Sequence, residues 1–132
     1  MKKLILIADD DAMHRDLLTD VLQAEGYATL MAENGQRAIE LARSAMPCLI
    51  LMDVQMPVLD GLSAIKVLKA APDTRSIPAI AITALAMQDD RARMLEAGFD
   101  GYLSKPISIK DLRSEVSRRL GGKPERKDGV PS

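Results

Sequence analysis

Cysteine is nearly absent from the chain. Cys48 stands alone among 132 residues, so no disulfide forms within it, and a reducing compartment, the cytoplasm by default, is the expected setting. No apolar stretch approaches the roughly 20 residues that span a bilayer. The N-terminal MKKLILIA has the basic start of a secretion signal, but aspartate interrupts its apolar run and no small-residue cleavage site follows. It is expected to be a first strand. An excess of one charge sign is also lacking: 18 Lys+Arg against 19 Asp+Glu leave a formal net charge of -1. No basic run is interleaved with aromatics, so neither nucleic acid nor a membrane is an expected ligand.

What is present is a repeated alternation. Strand-sized apolar runs occur at LILIA (4–8), ATLMA (28–32), CLILMD (48–53), PAIAIT (78–83) and GYLS (101–104). Helix-length segments with 3.6-residue periodicity separate them, carried by Leu17, Leu18, Val21 and Leu22, by Ala38, Leu41, Ala42 and Ala45, and by Leu62, Ile65 and Leu68. Met94 and Leu95 mark a fourth helix, and Ile109, Leu112, Val116 and Leu120 a fifth. Gly26 and Gly98 follow helical segments where a left-handed residue closes a helix. Five strand-helix units imply a parallel sheet with helices on both faces. The continuously apolar first, third and fourth strands suit the centre and the other two the edges, which gives the order 2-1-3-4-5. The chain is long enough for one core, expected over residues 1–120. Residues 121–132, GGKPERKDGVPS, carry almost nothing to bury and are expected to be a disordered tail or a linker.

In such a sheet the ligand site lies beyond the carboxyl ends of the strands, where the strand order reverses. That edge receives Asp9, Asp10 and Asp11 from the first strand, Asp53 from the third, Thr83 from the fourth and Lys105 after the fifth. Taken singly, Thr83 reads as a strand-terminal threonine, Lys105 as a solvated lysine and Asp11 as a helix cap. Together they place four group types on one edge. Neighbouring carboxylates repel, which costs stability unless a cation lies between them, and the triplet has no opposite charge beside it. Oxygen donors without a nearby His/Cys set favour a hard ion, and a small site suits Mg2+, which keeps several waters. Asp10 and Asp53 are the direct-ligand candidates. A carboxylate beside Mg2+ and an ammonium is a nucleophile toward a phosphoryl group, with Lys105 neutralising its oxygens and Thr83 donating a hydrogen bond to one of them. His14, on the first helix, is expected to be solvated or half-buried and is assigned no chemistry.

The acidic group after the first strand, LILMDVQMPVLDG around Asp53, AITA ending at Thr83 and Ala84, and GYLSKPI around Lys105 together resemble the receiver domain of two-component response regulators. The likeness runs over about residues 3 to 120. Within the family the pattern is most similar to DivK-like single-domain regulators and hybrid-kinase receivers. The resemblance implies a CheY-like, flavodoxin-like (βα)5 fold, with Asp53 accepting phosphate from the phosphohistidine of a sensor histidine kinase or phosphotransfer protein. It implies Mg2+, with Mn2+ able to substitute, bound by Asp10, Asp53 and the Gln55 backbone carbonyl, with Asp9 acting through water. It further implies that Lys105 pairs with the phosphoryl group, that Thr83 moves to bond it, and that Ala84 leaves that oxygen room. Tyr102 is then the aromatic that turns inward on activation, and a cis bond precedes Pro106.

The output expected with no second domain after residue 120 is binding of a downstream protein effector. That contact falls on the fourth helix, fifth strand and fifth helix, with Met87, Met94 and Tyr102 as its adaptable part. Met94 reads equally as core. The chain is expected to be a switch rather than an enzyme, with slow autodephosphorylation, as a monomer or a phosphorylation-dependent dimer. A haloacid-dehalogenase-like Mg-dependent phosphatase uses similar parts but needs a second aspartate where this chain has Gln55. An unphosphorylated docking module would not need the complete acceptor set, and a flavodoxin would not place three aspartates where the cofactor phosphate sits.

Overall fold

The computed structural model describes residues 2–84 and 88–120, without the side chains of residues 88–90. Strands β1 (Leu4–Ala8), β2 (Ala28–Ala32), β3 (Leu49–Asp53), β4 (Ala79–Thr83) and β5 (Gly101–Ser104) alternate with five helices. These are α1 (Ala12–Ala24), α2 (Gly35–Ala45), α3 (Gly61–Ala70), α4 (Gln88–Ala97) and α5 (Ile109–Arg119). The strands form one parallel sheet in the order β2-β1-β3-β4-β5. This is the flavodoxin-like arrangement expected from the alternation.

Side chains on a strand point alternately to its two faces, and the core divides accordingly. Leu6, Ala8, Ile50, Met52, Ala79 and Ala81 face Ala38, Ile39 and Ala42 of α2, Ala64, Ile65 and Leu68 of α3, and Met94 of α4. Ile5, Ile7, Leu49, Leu51, Ile80 and Ile82 face Leu18 and Leu22 of α1 and Leu112 and Val116 of α5. β3 and β4 are buried throughout, whereas β2 and β5 keep partly exposed positions, as edge strands do.

Polar side chains start the helices. Asp11 Oδ1 accepts from Met13 N at 2.9 Å, Asn34 from Arg37 N at 2.8 Å and Asp60 from Ser63 N at 2.8 Å. Ser108 does the same for Asp111 N at 3.3 Å. Each satisfies an N–H that the first helical turn cannot. Asp11 is therefore the cap of α1.

Two expectations need correction. Met94 is only 3% exposed and packs in the core, so it is not part of an adaptable surface. β3 begins at Leu49 and β4 at Ala79: Cys48 is exposed ahead of β3, and Pro78 has no N–H to offer a ladder. Gly26 (φ 98°) and Gly98 (φ 126°) take the left-handed conformation expected of them, and Met46 (φ 49°) does so at the end of α2. Met87 and residues 121–132, for which expectations were stated above, lie outside the described residues.

Candidate functional site

The carboxyl ends of β1, β3, β4 and β5 bring together the residues singled out above. β3 ends in Asp53, and the loop after it is held against the strand by close backbone packing. Gly61 N–H donates to Val54 O at 2.9 Å, and any Cβ on Gly61 would run into the Asp53 carbonyl oxygen. Only glycine permits that approach. Asp53 is 3% exposed, and its Oδ1 accepts from Gln55 N at 3.0 Å. Its Oδ2 accepts from Lys105 Nζ at 2.7 Å, a charge-assisted hydrogen bond by length. Lys105 is placed by its N–H donating to Thr83 O at 2.8 Å and is followed by a cis bond to Pro106, as the resemblance implies.

Asp9 has no exposed surface. Its Oδ1 accepts from Asp11 N at 2.9 Å, while Oδ2, 3.6 Å from Lys105 Nζ, has no hydrogen-bond partner. Burial is the main reason its carboxyl is held above the usual aspartate value, and the Asp53 charge adds to it. The Asp11 N–H and the charges of Lys105 and His14 offset this only in part. Burial works against the charge on Lys105, but the bond to Asp53 and the attraction of Asp53, Asp9 and Asp10 outweigh it and raise its pKa.

Asp10 is exposed and completes an acidic trio: one carboxylate oxygen from each of Asp9, Asp10 and Asp53 lies within 4.8 Å of the others. Oxygens on opposite sides of a Mg2+ ion are about 4.2 Å apart and adjacent ones about 3 Å. The spacing, the all-oxygen donors and the orphaned Asp9 Oδ2 fit a hard divalent cation. Asp60, Gln55, Pro57 and Arg93 line a cavity of about 530 Å3 that opens beside Asp10.

Thr83 is buried at the end of β4, one strand over from Asp53, and Ala84 is exposed beyond it. Tyr102 is half-buried against the α2–α3–α4 side of the core, with the Arg91 guanidinium 5.3 Å from its ring centroid, within cation–π range. Two side chains of α1 that the sequence reading did not place at the site also reach Asp9. Arg15 Nη1 donates to Asp9 O at 2.6 Å, and His14 Nδ1 lies 3.4 Å from Asp9 Oδ2. Both sit in the first turns of α1, which the Asp11 cap directs back over the strand end. That cap, read together with two basic-type side chains directly after it, was the available signal.

The acidic trio and Lys105 lie beyond the carboxyl ends of a doubly wound sheet, where such folds place their ligand sites. The response regulator receiver domain family model matches residues 5–117. The polar-differentiation response regulator DivK of Brucella anthropi is 40% identical over 121 residues, 92% of this chain and 98% of that protein. The solved receiver domain of sensor histidine kinase PA1611 from Pseudomonas aeruginosa has 34% identity and a TM-score of 0.85, over 92% of this chain and 100% of that one. That structure holds a magnesium ion in its active-site cleft. Vibrio cholerae chemotaxis protein CheY4 has 26% identity and a TM-score of 0.86, covering 91% of this chain and 100% of its own. The chain belongs to the response regulator receiver domain family and is a DivK- and CheY-like receiver of two-component signalling. Nothing favours the phosphatase alternative, and the side chain two residues after Asp53 is an exposed glutamine.

Proposed function

We propose that Asp53 is the phosphoacceptor of this receiver. The observation that carries the reading is the Asp53–Lys105 pair set beside the Asp9–Asp10–Asp53 trio on one sheet edge. An Asp53 carboxylate oxygen attacks the phosphorus of a phosphohistidine, the P–N bond breaks, and the imidazole leaves with the bonding pair. Lys105 follows the charge onto the phosphoryl oxygens, and Thr83 moves to donate to one of them, with Ala84 leaving that oxygen room. Asp10, Asp53 and the Gln55 carbonyl would hold Mg2+ or Mn2+, with Asp9 acting through water. The cation supplies charge neutralisation on the phosphoryl oxygens.

The donor is a sensor histidine kinase or a histidine phosphotransfer protein. The added phosphoryl charge changes which arrangement of Thr83 and Tyr102 is favoured, and this alters the α4–β5–α5 face read by a protein effector. A cavity of about 600 Å3 lined by Tyr102, Pro106, Ser108 and Arg118 lies on that face. No described helix is long and apolar enough to cross a membrane, and a cytoplasmic setting suits a kinase-fed switch. Transfer of labelled phosphate from autophosphorylated histidine kinases tests the reading. Transfer to the wild type and none to Asp53→Asn is the expected result, whereas equal labelling of both would overturn it.

A further inference from the structure

The cation site accounts for the buried, unpartnered Asp9 Oδ2 but not for a second buried atom without a hydrogen-bond partner, His14 Nδ1. The two face each other at 3.4 Å. That is longer than the roughly 2.7–2.9 Å of a charge-assisted N–H···O bond. It equals the edge of a tetrahedron around zinc, since donors about 2.0–2.2 Å from the metal stand about 3.3–3.5 Å apart. Asp9 Oδ1 is already committed to Asp11 N, which leaves Oδ2 for this role. Asp11 Oδ2, on an exposed side chain, lies 4.0 Å from the same nitrogen, and the imidazole is 40% exposed although Nδ1 itself faces inward.

We infer that His14 and Asp9 form a nitrogen–oxygen donor pair for a zinc-class divalent ion, sharing Asp9 with the Mg2+ site. Imidazole suits Zn2+ and related ions and does not suit Mg2+. The pair therefore gives an otherwise all-oxygen edge a selective affinity for a second kind of cation. Because Asp9 is shared, the two ions compete. Lys105, 3.6 Å from Asp9 Oδ2, is engaged by Asp53 at 2.7 Å.

Composition makes the test clean. The chain has one histidine and one cysteine, and Cys48 lies just before the start of β3, at the opposite end of the sheet. In Cys48→Ser protein, His14 is the sole imidazole or thiol donor. Zn2+ and Mg2+ binding are measured by competition with a chromophoric chelator and by calorimetry, with the single imidazole followed by NMR. Zinc should shift the His14 ring signals and magnesium should not. His14→Ala should weaken Zn2+ binding at least tenfold while leaving Mg2+ binding within twofold, and excess Mg2+ should displace zinc. Asp53→Asn should retain the zinc-induced ring shift, which separates this inference from the phosphoacceptor reading. An unmoved ring signal, or equal loss of both ions in His14→Ala, would overturn the pair.

Discussion

Lys105 Nζ donates a 2.7 Å hydrogen bond to Asp53 Oδ2, joining the ends of β5 and β3 across 52 positions of sequence. The lysine side chain is 20% exposed and the aspartate 5%, so the pair is shielded and each charge depends on the other. Removing the ammonium leaves two buried carboxylates, Asp53 and Asp9, without their cation. Lys105→Met should lower stability by about 1–3 kcal/mol, the usual cost of stranding a buried charged partner, read from urea unfolding without Mg2+. The folded pKa of Lys105 is raised above 10.5, so its contribution is fully present below 10.5 and is lost only as pH rises through the higher folded value. The gap between wild type and variant should hold from neutral pH to about 10 and close above that. A gap that already closes between pH 7 and about 9 would contradict this.

Asp9 works in the opposite sense. Its folded carboxyl titrates above 3.8, with burial the leading cause, so its ionised form costs stability at neutral pH. That cost is relieved as pH falls through the folded value and is gone below 3.8. Asp9→Asn keeps an oxygen for Asp11 N and removes the charge. It should raise Tm at pH 7 by about 2–6 °C in Mg2+-free buffer, 1 kcal/mol being worth about 4 °C in a domain of this size. The advantage should shrink toward pH 4, and Mg2+ should stabilise the variant less than the wild type.

Most of the architecture was legible in the sequence because each element carries its own period. β1, β2 and β5 fall on the apolar runs at 4–8, 28–32 and 101–104, and Asp9, Asp53, Thr83 and Lys105 meet because a parallel sheet delivers all its carboxyl ends to one edge. What was not legible depends on three-dimensional proximity. His14 reaches Asp9 only because the Asp11 cap turns α1 back over β1. Arg91 finds Tyr102 across the α4–β5 connection. Thr74, with no exposed surface, donates to Leu68 O at 2.7 Å to close the α3–β4 turn, a contact no local pattern announces. Cys48 and Pro78 misled because hydropathy counts a residue as strand-like without asking whether its backbone joins the ladder.

Gly61 ties the fold to the site. Its backbone packs against the Asp53 carbonyl so closely that a methyl group must displace the strand end. Gly61→Ala should cost about 1–3 kcal/mol, as overpacking does, and weaken Mg2+ binding along with it. Unchanged urea midpoints and Mg2+ affinity would show that the loop relaxes without moving Asp53.

Gln55 is exposed, while its N–H anchors Asp53 Oδ1 at 3.0 Å. Its side chain lines the cavity that opens beside Asp10, next to the carboxylate proposed to carry the phosphoryl group. Gln55→Ala should therefore change the decay rate of the phosphorylated state by about threefold, under 1 kcal/mol of barrier, with Tm nearly unchanged. A decay rate equal to that of the wild type would remove Gln55 from the control of hydrolysis.

The most direct measurement is the intact mass of the protein after incubation with a small-molecule phosphodonor and Mg2+. One phosphoryl group, stable in acid, labile in base and absent from Asp53→Asn, is the predicted result. No adduct on the wild type, or an adduct of the same yield on Asp53→Asn, would contradict the assignment of Asp53 as the phosphoacceptor.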